Sequence, residues 1–182
     1  MVTVGWSGTA DAADTATVTL DDTGAGTVTS SSMNLVPGST GVYSINATGL
    51  GETAITITVD SSDAAGNTAQ HISVTPATKD VTIPVVPTAA QILVSGGNPV
   101  DGINIATEAA AMMEVTWAGA DTNDSATAVL IDGAALEASA GPMAPVATGT
   151  TTYSVNSTTL AEGTITMRVD VVDTAGNPAS FT

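Results

Sequence analysis

The stretch Thr53-Ala-Ile-Thr-Ile-Thr-Val-Asp-Ser-Ser-Asp-Ala-Ala-Gly-Asn67 decides the fold, and it recurs as Gly163-Thr-Ile-Thr-Met-Arg-Val-Asp-Val-Val-Asp-Thr-Ala-Gly-Asn177. Apolar side chains occupy every second position in each copy, which predicts a β-strand with one buried face. Each strand then meets Asp-x-Ala-Gly-Asn, where the aspartate can cap a turn and the glycine can supply a positive φ. The two copies predict two hairpins of one kind and hence a tandem repeat.

The number of positions that separates the two hairpin copies also separates matching residues outside the hairpin, so the repeat covers most of the chain. Matching residues before the hairpin are Tyr43, Asn46 and Leu50 in the first copy, and Tyr153, Asn156 and Leu160 in the second. Trp6 and Trp117 also correspond, after a one-residue shift in the following loop. Local patterns predict a strand with Ala16, Val18 and Leu20 on its inner face, a turn at Asp21–Gly24, a short strand at Val42–Asn46 and one short helical turn within 103–109. Turn signals about every 8–12 residues between short alternating strands are typical of a β-sandwich. We therefore predict an all-β chain of two tandem sandwich domains joined end to end, residues 1–84 and 85–182.

The two copies differ at their ends. An alternating strand, Ala90–Ser95, precedes the tryptophan strand of the second copy, and the first copy starts without an equivalent. The second copy also stops at Thr182, shortly after its hairpin, where the first continues to Val74. We therefore expect a fragment cut out of phase with its modules, with the first strand of domain one missing and the last strand of domain two truncated.

The charge balance limits the possible partners. Eighteen Asp and Glu residues stand against Lys79 and Arg168, for a net charge of −16 at pH 7. Binding to nucleic acid needs clustered cations, so nucleic acid is not an expected partner. No apolar run approaches the roughly 18 residues of a membrane span, so no membrane insertion is expected. The chain has no cysteine, which excludes disulfides and thiolate metal sites.

The acidic residues allow two interpretations. Thirteen of them are Asp, many at predicted loop positions. They could form a solvated acidic surface, or they could bind divalent cations, because hard cations prefer clustered carboxylate oxygens. A small extracellular domain without disulfides needs another brace, and calcium would supply one.

Short motifs along the chain resemble a known family. They are Gly102-Ile-Asn-x-x-x-Glu108, Val115-x-Trp117-x-Gly119, Val-Asp-x-x-Asp-x-Ala-Gly-Asn at 169–177, and Asp80-Val-Thr-Ile-Pro84. Together they resemble the bacterial immunoglobulin-like tandem repeats of giant, type-I-secreted RTX-type surface adhesins of Gram-negative bacteria. The resemblance implies immunoglobulin-like domains in an extracellular stalk at the bacterial cell surface, with junctions stiffened by Ca²⁺. The linker departs from the family's Asp-Thr-Thr-x-Pro, and the nonapeptide calcium repeats are absent.

Sandwich topology indicates which acids would lie at such a junction. The last strand of domain one should leave beside the Leu50–Glu52 loop, and domain two should begin beside the loops after Trp117 and within 173–177. The candidate calcium ligands at the junction are Asp80, Asp121, Asp124, Asp170 and Asp173. Their equivalents facing a preceding module are Asp11, Asp14, Asp60 and Asp63, while Asp101 and Glu108 should lie near the opposite end of domain two. Asp63 and Asp173 could instead only cap their turns.

The sequence does not match other known metal-binding or catalytic patterns. Asp121-Thr-Asn-Asp-Ser125 imitates the start of an EF-hand loop, but Ala126 stands where that loop needs glycine. The lone histidine, His71, lies on a predicted strand with ordinary neighbours, and no nucleophile elbow, phosphate loop or zinc spacing is present. The chain is therefore not expected to be an enzyme. Trp6 and Trp117 lie in phase with core residues, so both are expected to be buried.

Two functional classes remain. The first is a structural extender (spacer) of a bacterial adhesin, which contacts neighbouring modules of the same chain and supports cell adhesion and biofilm formation, with the host or surface ligand bound elsewhere. The second is a ligand-binding module near the adhesin tip, for sugar, protein or ice. Closely similar tandem copies favour the spacer, because a binding tip is usually unique.

Overall fold

The computed structural model describes residues 1–6, 13–24, 26–35, 38, 40–73, 75–93, 103 and 108–182. Regular structure in these residues consists of β-strands and one short 3-10 helix, which confirms the predicted all-β class. The chain divides into two compact units, Met1–Asp80 and Val81–Thr182. The division follows Asp80, whereas the sequence placed it after Pro84. No helix in the described part of the chain is long and apolar enough to cross a membrane.

The described part of unit 1 forms two antiparallel sheets. Its strands are β1 (Val2–Gly5), β2 (Thr15–Asp22), β3 (Thr27–Thr29), β4 (Met33–Asn34), β5 (Thr40–Tyr43), β6 (Ala54–Ser62), β7 (Thr68–Ile72) and β8 (Ala77–Thr78). One sheet pairs β1 with β5. The other has the order β3-β2-β6-β7, with β4 also pairing with β2 and β8 with β6.

The core of unit 1 lies between its two sheets. β2 alternates as predicted, with Ala16, Val18 and Leu20 buried. They pack in one cluster with Tyr43 of β5 and Val59 of β6, so both sheets contribute to it. A period of two on each strand places one face of each sheet in this core, which makes the unit a β-sandwich.

Unit 2 has the same architecture. Its elements are β9 (Ala89–Leu93), a 3-10 helix (Glu108–Ala110), β10 (Ala111–Ala118), β11 (Ser125–Ile131), β12 (Glu137–Met143), β13 (Thr148–Val155), β14 (Thr166–Val172) and β15 (Pro178–Phe181). The sheets have the orders β13-β10-β9 and β12-β11-β14-β15, the arrangement of an immunoglobulin-like sandwich. Met113, Val115 and Trp117 of β10 share one core cluster with Leu130 of β11 and Val169 of β14.

The two units differ at one sheet. β10 pairs with β13 on one side and β9 on the other, whereas β1 pairs only with β5 within the described residues. The burial follows this difference. Met113, Val115 and Trp117 are fully buried, and their counterparts Val2, Val4 and Trp6 are half-buried. Burial of Trp117 is therefore as predicted, and burial of Trp6 is only partial.

Some local predictions need correction. The strand expected at Val42–Asn46 occupies Thr40–Tyr43, and Asp21 and Asp22, expected in a turn, belong to the end of β2. Asp22 pairs with Ile55 across the sheet, so the strand pairing continues for two residues into the segment that was predicted to be a turn. The helical turn expected within 103–109 is a 3-10 helix at Glu108–Ala110, and residues 104–107 lie outside the described residues.

Candidate structural and metal-binding sites

Asp63 caps the turn between β6 and β7. Its Oδ1 accepts hydrogen bonds from the backbone N–H groups of Ala65 at 2.9 Å and Asn67 at 2.8 Å. The side-chain amide of Asn67 donates to Oδ2 at 2.7 Å. Gly66 has a φ of 86°, which an L side chain would resist. Hydrogen bonds from the side chain and backbone of Asn67 lower the pKa of Asp63, because they favour the ionised carboxylate.

Asp173 repeats this arrangement between β14 and β15. Its Oδ1 accepts from the N–H groups of Ala175 at 2.9 Å and Asn177 at 2.8 Å, and Asn177 Nδ2 donates to Oδ2 at 2.8 Å. Burial alone would raise the pKa of Asp173, but the hydrogen bonds from Asn177, Ala175 and Gly176 together outweigh it and the net shift is downward. Both aspartates thus have the turn-capping role that the sequence offered as the alternative to metal binding.

A second pair of aspartates lies at the opposite end of each sandwich. Asp22, the last residue of β2, is 6% exposed. Its Oδ1 accepts hydrogen bonds from the N–H groups of Gly24 at 2.8 Å and Gly26 at 3.0 Å. Its Oδ2 accepts one from Gly51 at 2.7 Å, in the loop before β6. One carboxylate therefore joins the β2–β3 turn to a loop far along the chain.

Asp132 makes the same connections in unit 2. It follows β11, is 6% exposed, and accepts from Ala134 at 2.8 Å and Leu136 at 2.9 Å through Oδ1. Ala161 N–H, in the loop before β14, donates to its Oδ2 at 2.8 Å. We call Asp22 and Asp132, each with its three N–H donors, the aspartate anchors, and the end of each sandwich where they lie the anchor end. The end with the β6–β7 or β14–β15 turn is the hairpin end.

The anchors hold ionised carboxylates. The N–H groups of Gly51 and Gly26 lower the pKa of Asp22, with a smaller contribution from the charge of Lys79. The N–H groups of Ala161 and Leu136 lower the pKa of Asp132. Burial acts in the opposite direction in both cases and is the weaker effect, because three charge-assisted hydrogen bonds replace the water that burial removes.

Lys79 also binds the loop before β6, the loop that Asp22 holds in unit 1. Its Nζ donates to the backbone carbonyls of Leu50 and Thr48. Its backbone N–H donates to Thr53 O at 3.0 Å, next to the β6–β8 pairing. The anchor end of unit 1 is therefore fixed by Asp22 and Lys79 together.

Sequence reasoning assigned Asp22 to a turn, and it considered Asp132 only as the twelfth position of the rejected EF-hand pattern. The signal that could have found them is the repeat itself, because the two aspartates match at the spacing that relates Tyr43 to Tyr153. The partners carry no side-chain signature, since every bond goes to a backbone N–H.

The acids predicted to bind calcium lie in different surroundings. Asp121 is exposed, and its Oδ1 accepts from the N–H and the side-chain amide of Asn123, both at 2.9 Å. Asp124 is 7% exposed, and its N–H donates to Asp121 O at 3.2 Å. Both belong to the loop between β10 and β11, at the hairpin end of unit 2, which also carries Asp173.

The strand acids are paired with neighbouring side chains. Gln70 Nε2 donates to Asp60 at 2.7 Å, and Ser180 Oγ donates to Asp170 at 2.7 Å. Arg168 Nε also donates to Asp170, at 2.9 Å. Each of these two carboxylates is therefore already hydrogen-bonded to side chains of its own sheet.

The remaining predicted ligands are only partly described. Asp14, Asp80 and Glu108 are half-buried, and the Glu108 carbonyl accepts from Ser157 N–H at 2.7 Å. Asp11 and Asp101 lie outside the described residues. Among the residues that the structure describes, no three His, Asp or Glu side chains come together in a way that could hold a metal ion. The described side chains therefore do not form a ready-made calcium site.

Hydrogen bonds of the backbone and of one side chain show where the chain passes the ends of each unit. Lys79, just after β8, lies at the anchor end of unit 1. In unit 2, Asn177 Nδ2 donates to Thr82 O at 3.3 Å, and Thr88 N–H donates to Thr116 O at 2.9 Å. The segment leading into unit 2 therefore lies at its hairpin end, as the sequence predicted. β15 then runs toward the anchor end, because Phe181 pairs with Val169 well before the turn.

His71 lies on β7 with its side chain exposed, and it pairs with Val59 in the sheet. Its position is that of an ordinary surface residue, as expected.

The sequence matches no protein-family model and no curated protein. Among solved structures, it is similar to the crystal structure of a tetra-tandem repeat in the extending region of a large adhesion protein, with 18% sequence identity and a TM-score of 0.36. The alignment covers 94% of this chain and 41% of that one, so this chain spans less than half of that structure's length.

Proposed function

We propose that the chain is a structural extender in the stalk of a large bacterial cell-surface adhesin, outside the cell, where it supports cell adhesion and biofilm formation. The observation that carries the proposal is the path of the chain through unit 2. The chain comes in at the hairpin end, beside Asn177, and β15 runs toward the end that holds Asp132. Such a path lets modules follow one another in a line, as the stalk of an adhesin requires.

The repeated internal bracing supports the same function. Asp22 and Asp132 hold the same loop in both units with bonds of 2.7 and 2.8 Å, and Asp63 and Asp173 hold the same turn. A spacer needs each module to keep its shape independently, and these bonds lie within single modules. The motif resemblance to adhesin repeats agrees with this function.

The experiment is a test of reach. A binding domain of known target is displayed on bacteria through one, two or four copies of this chain, behind a polysaccharide layer that blocks the domain alone. We expect target capture to rise with copy number and to exceed that of a Gly/Ser linker of equal residue number, because a flexible coil lengthens only with the square root of its residue number. Equal capture by the two series would contradict the spacer function.

The alternative function, binding of sugar, protein or ice, is tested with the chain alone on a glycan array, on host-cell proteins and in an ice-recrystallisation assay. Saturable binding that a point substitution on one face abolishes would replace the spacer proposal. Calcium stiffening stays a prediction from the sequence, because the described side chains form no ready-made site.

A further inference from the structure

Three buried polar atoms of unit 2 have no hydrogen-bond partner among the described residues: Trp117 Nε1, Thr151 Oγ1 and Tyr153 Oη. Their residues are 1%, 9% and 0% exposed. Buried polar side-chain atoms are normally hydrogen-bonded to protein or to ordered water, so each of these atoms needs an explanation.

The sheet register places the three side chains next to one another. Thr151 of β13 lies opposite Val115 of β10, and Trp117 lies opposite Gly149. Trp117 is therefore the diagonal neighbour of Thr151 across the strands. Tyr153 is the neighbour of Thr151 two residues further along β13. All three side chains point to the core face, since side chains two apart on a strand share a face.

Unit 1 gives the distances at the equivalent position. Gly41 stands where unit 2 has Thr151, opposite Val4 and two residues before Tyr43. A Cβ at Gly41 would lie 3.6 Å from Trp6 Nε1 and 3.7 Å from Tyr43 Oη. A side chain at this position thus starts within 4 Å of both the indole nitrogen and the phenol oxygen, and in unit 2 that side chain carries a hydroxyl.

We propose that Trp117, Thr151 and Tyr153 bind one buried water molecule in the core of unit 2. The water accepts hydrogen bonds from the indole N–H and the phenol O–H and donates one to Thr151 Oγ1. Three hydrogen bonds are what a buried structural water typically makes. The site ties β10 to β13 through side chains, and unit 1, with glycine at position 41, lacks the hydroxyl partner.

The test uses the two indole N–H signals of the ¹⁵N-labelled chain, assigned with Trp6→Phe. Water-selective NOE spectra should show contact between the Trp117 indole and a long-lived water. Thr151→Val removes the hydroxyl with little change of volume and should abolish this signal. Thr152→Val is the matched control, because Thr152 is exposed on the same strand, and it should leave the signal intact. No water signal at Trp117 in the unchanged chain, or full signal in Thr151→Val, would overturn the proposal.

A crystal structure of the unchanged chain is the second measurement. An ordered solvent peak within hydrogen-bond distance of all three atoms supports the site. A direct hydrogen bond that Thr151 Oγ1 accepts from Trp117 Nε1, or one between Thr151 Oγ1 and Tyr153 Oη, with no solvent between the atoms, overturns it.

Discussion

Asp132 Oδ2 accepts a 2.8 Å hydrogen bond from the backbone N–H of Ala161, 29 residues further along the chain. The equivalent bond in unit 1 joins Asp22 to Gly51 at 2.7 Å over the same separation. Each bond connects the end of one strand to the loop before another strand of the same sheet. A carboxylate therefore ties two loops together at the anchor end of each sandwich, and in unit 1 Lys79 adds hydrogen bonds to the same loop.

Replacing the carboxylate with an amide should weaken the anchor. In Asp22→Asn one oxygen becomes an NH₂ group, which faces backbone N–H donors and leaves at least one of them without an acceptor. We expect the melting temperature of unit 1 to fall by several degrees in circular dichroism melts. Asp21→Asn is the control, since Asp21 is exposed and its Oδ2 accepts a hydrogen bond from Thr27 Oγ1 at the surface. Equal melting of the two variants would show that the anchor contributes nothing to stability.

The free energy of unfolding should fall in acid, because the ionised carboxylates of the two aspartate anchors stabilise the folded chain. The pKa values of Asp22 and Asp132 lie below the ordinary value of 3.8 in the folded chain. The stabilisation is therefore complete above pH 3.8 and is lost as pH falls through the lowered pKa values. Denaturant melts between pH 2 and 7 should show this loss. In Asp22→Asn the acid loss of unit 1 should shrink, and an unchanged acid profile would contradict the role assigned to the carboxylate.

A side chain at Gly26 should disturb the anchor sterically. Its Cβ would stand 2.3 Å from Asp22 Oδ2 and 3.1 Å from Gly49 O, so the carboxylate would have to leave its donors. We expect Gly26→Ala to cost about 1–3 kcal/mol, the usual range for overpacking. Gly49→Ala is the matched control, because a Cβ there meets nothing within 4 Å. Chemical denaturation measures both, and a Gly26→Ala chain as stable as Gly49→Ala would show that the β2–β3 turn relaxes freely.

Unit 1 should melt before unit 2. Within the described residues β1 pairs only with β5, and Val2, Val4 and Trp6 stay half-buried where Met113, Val115 and Trp117 are covered. Fusing residues 86–93 ahead of Met1 through a short linker offers β1 the partner that β9 gives β10. We expect scanning calorimetry to show that the unfolding transition at the lower temperature moves to a higher temperature. A fusion with Gln91 replaced by Pro is the control, and an equal rise with both fusions would refute edge pairing.

Calcium should stiffen the chain around Asp80 without being needed for folding. Carboxylates brought together repel one another by about 4 kcal/mol per close pair at an effective dielectric near 20, and a divalent cation reverses that sign. If calcium binds only the ordered state, it should stabilise that state by about 2.7 kcal/mol at a hundredfold excess of calcium over the dissociation constant. Thermal melts and small-angle scattering, in millimolar calcium and then with chelator, measure the effect. Asp80→Ala should respond less than the unchanged chain. If neither responds to chelator, the acids serve only as solvating charge.

The hairpin strands of both sandwiches could be predicted because their signal is local. Alternation in Ile55–Val59 and Ile165–Val169, ended by Asp63 and Asp173, specifies a hairpin without any distant contact. The repeat then predicted two similar units, and the turn-capping alternative for these aspartates could be stated from Asp-x-Ala-Gly-Asn alone. Burial of Trp117 also followed from strand phase.

The anchors and the buried polar group of unit 2 could only come from the tertiary structure. Asp22 finds Gly51, and Asp132 finds Ala161, through backbone N–H groups that every residue except proline carries, so the sequence gives no sign of the pairing. Trp117, Thr151 and Tyr153 meet because β10 and β13 pair in one register, and a shift of one residue would turn them to the other face. The sequence by itself determined the alternating core strands and the capped turns of the two hairpins. The packing of sheets decided which polar groups meet, because that depends on register and on contacts between residues far apart in the chain.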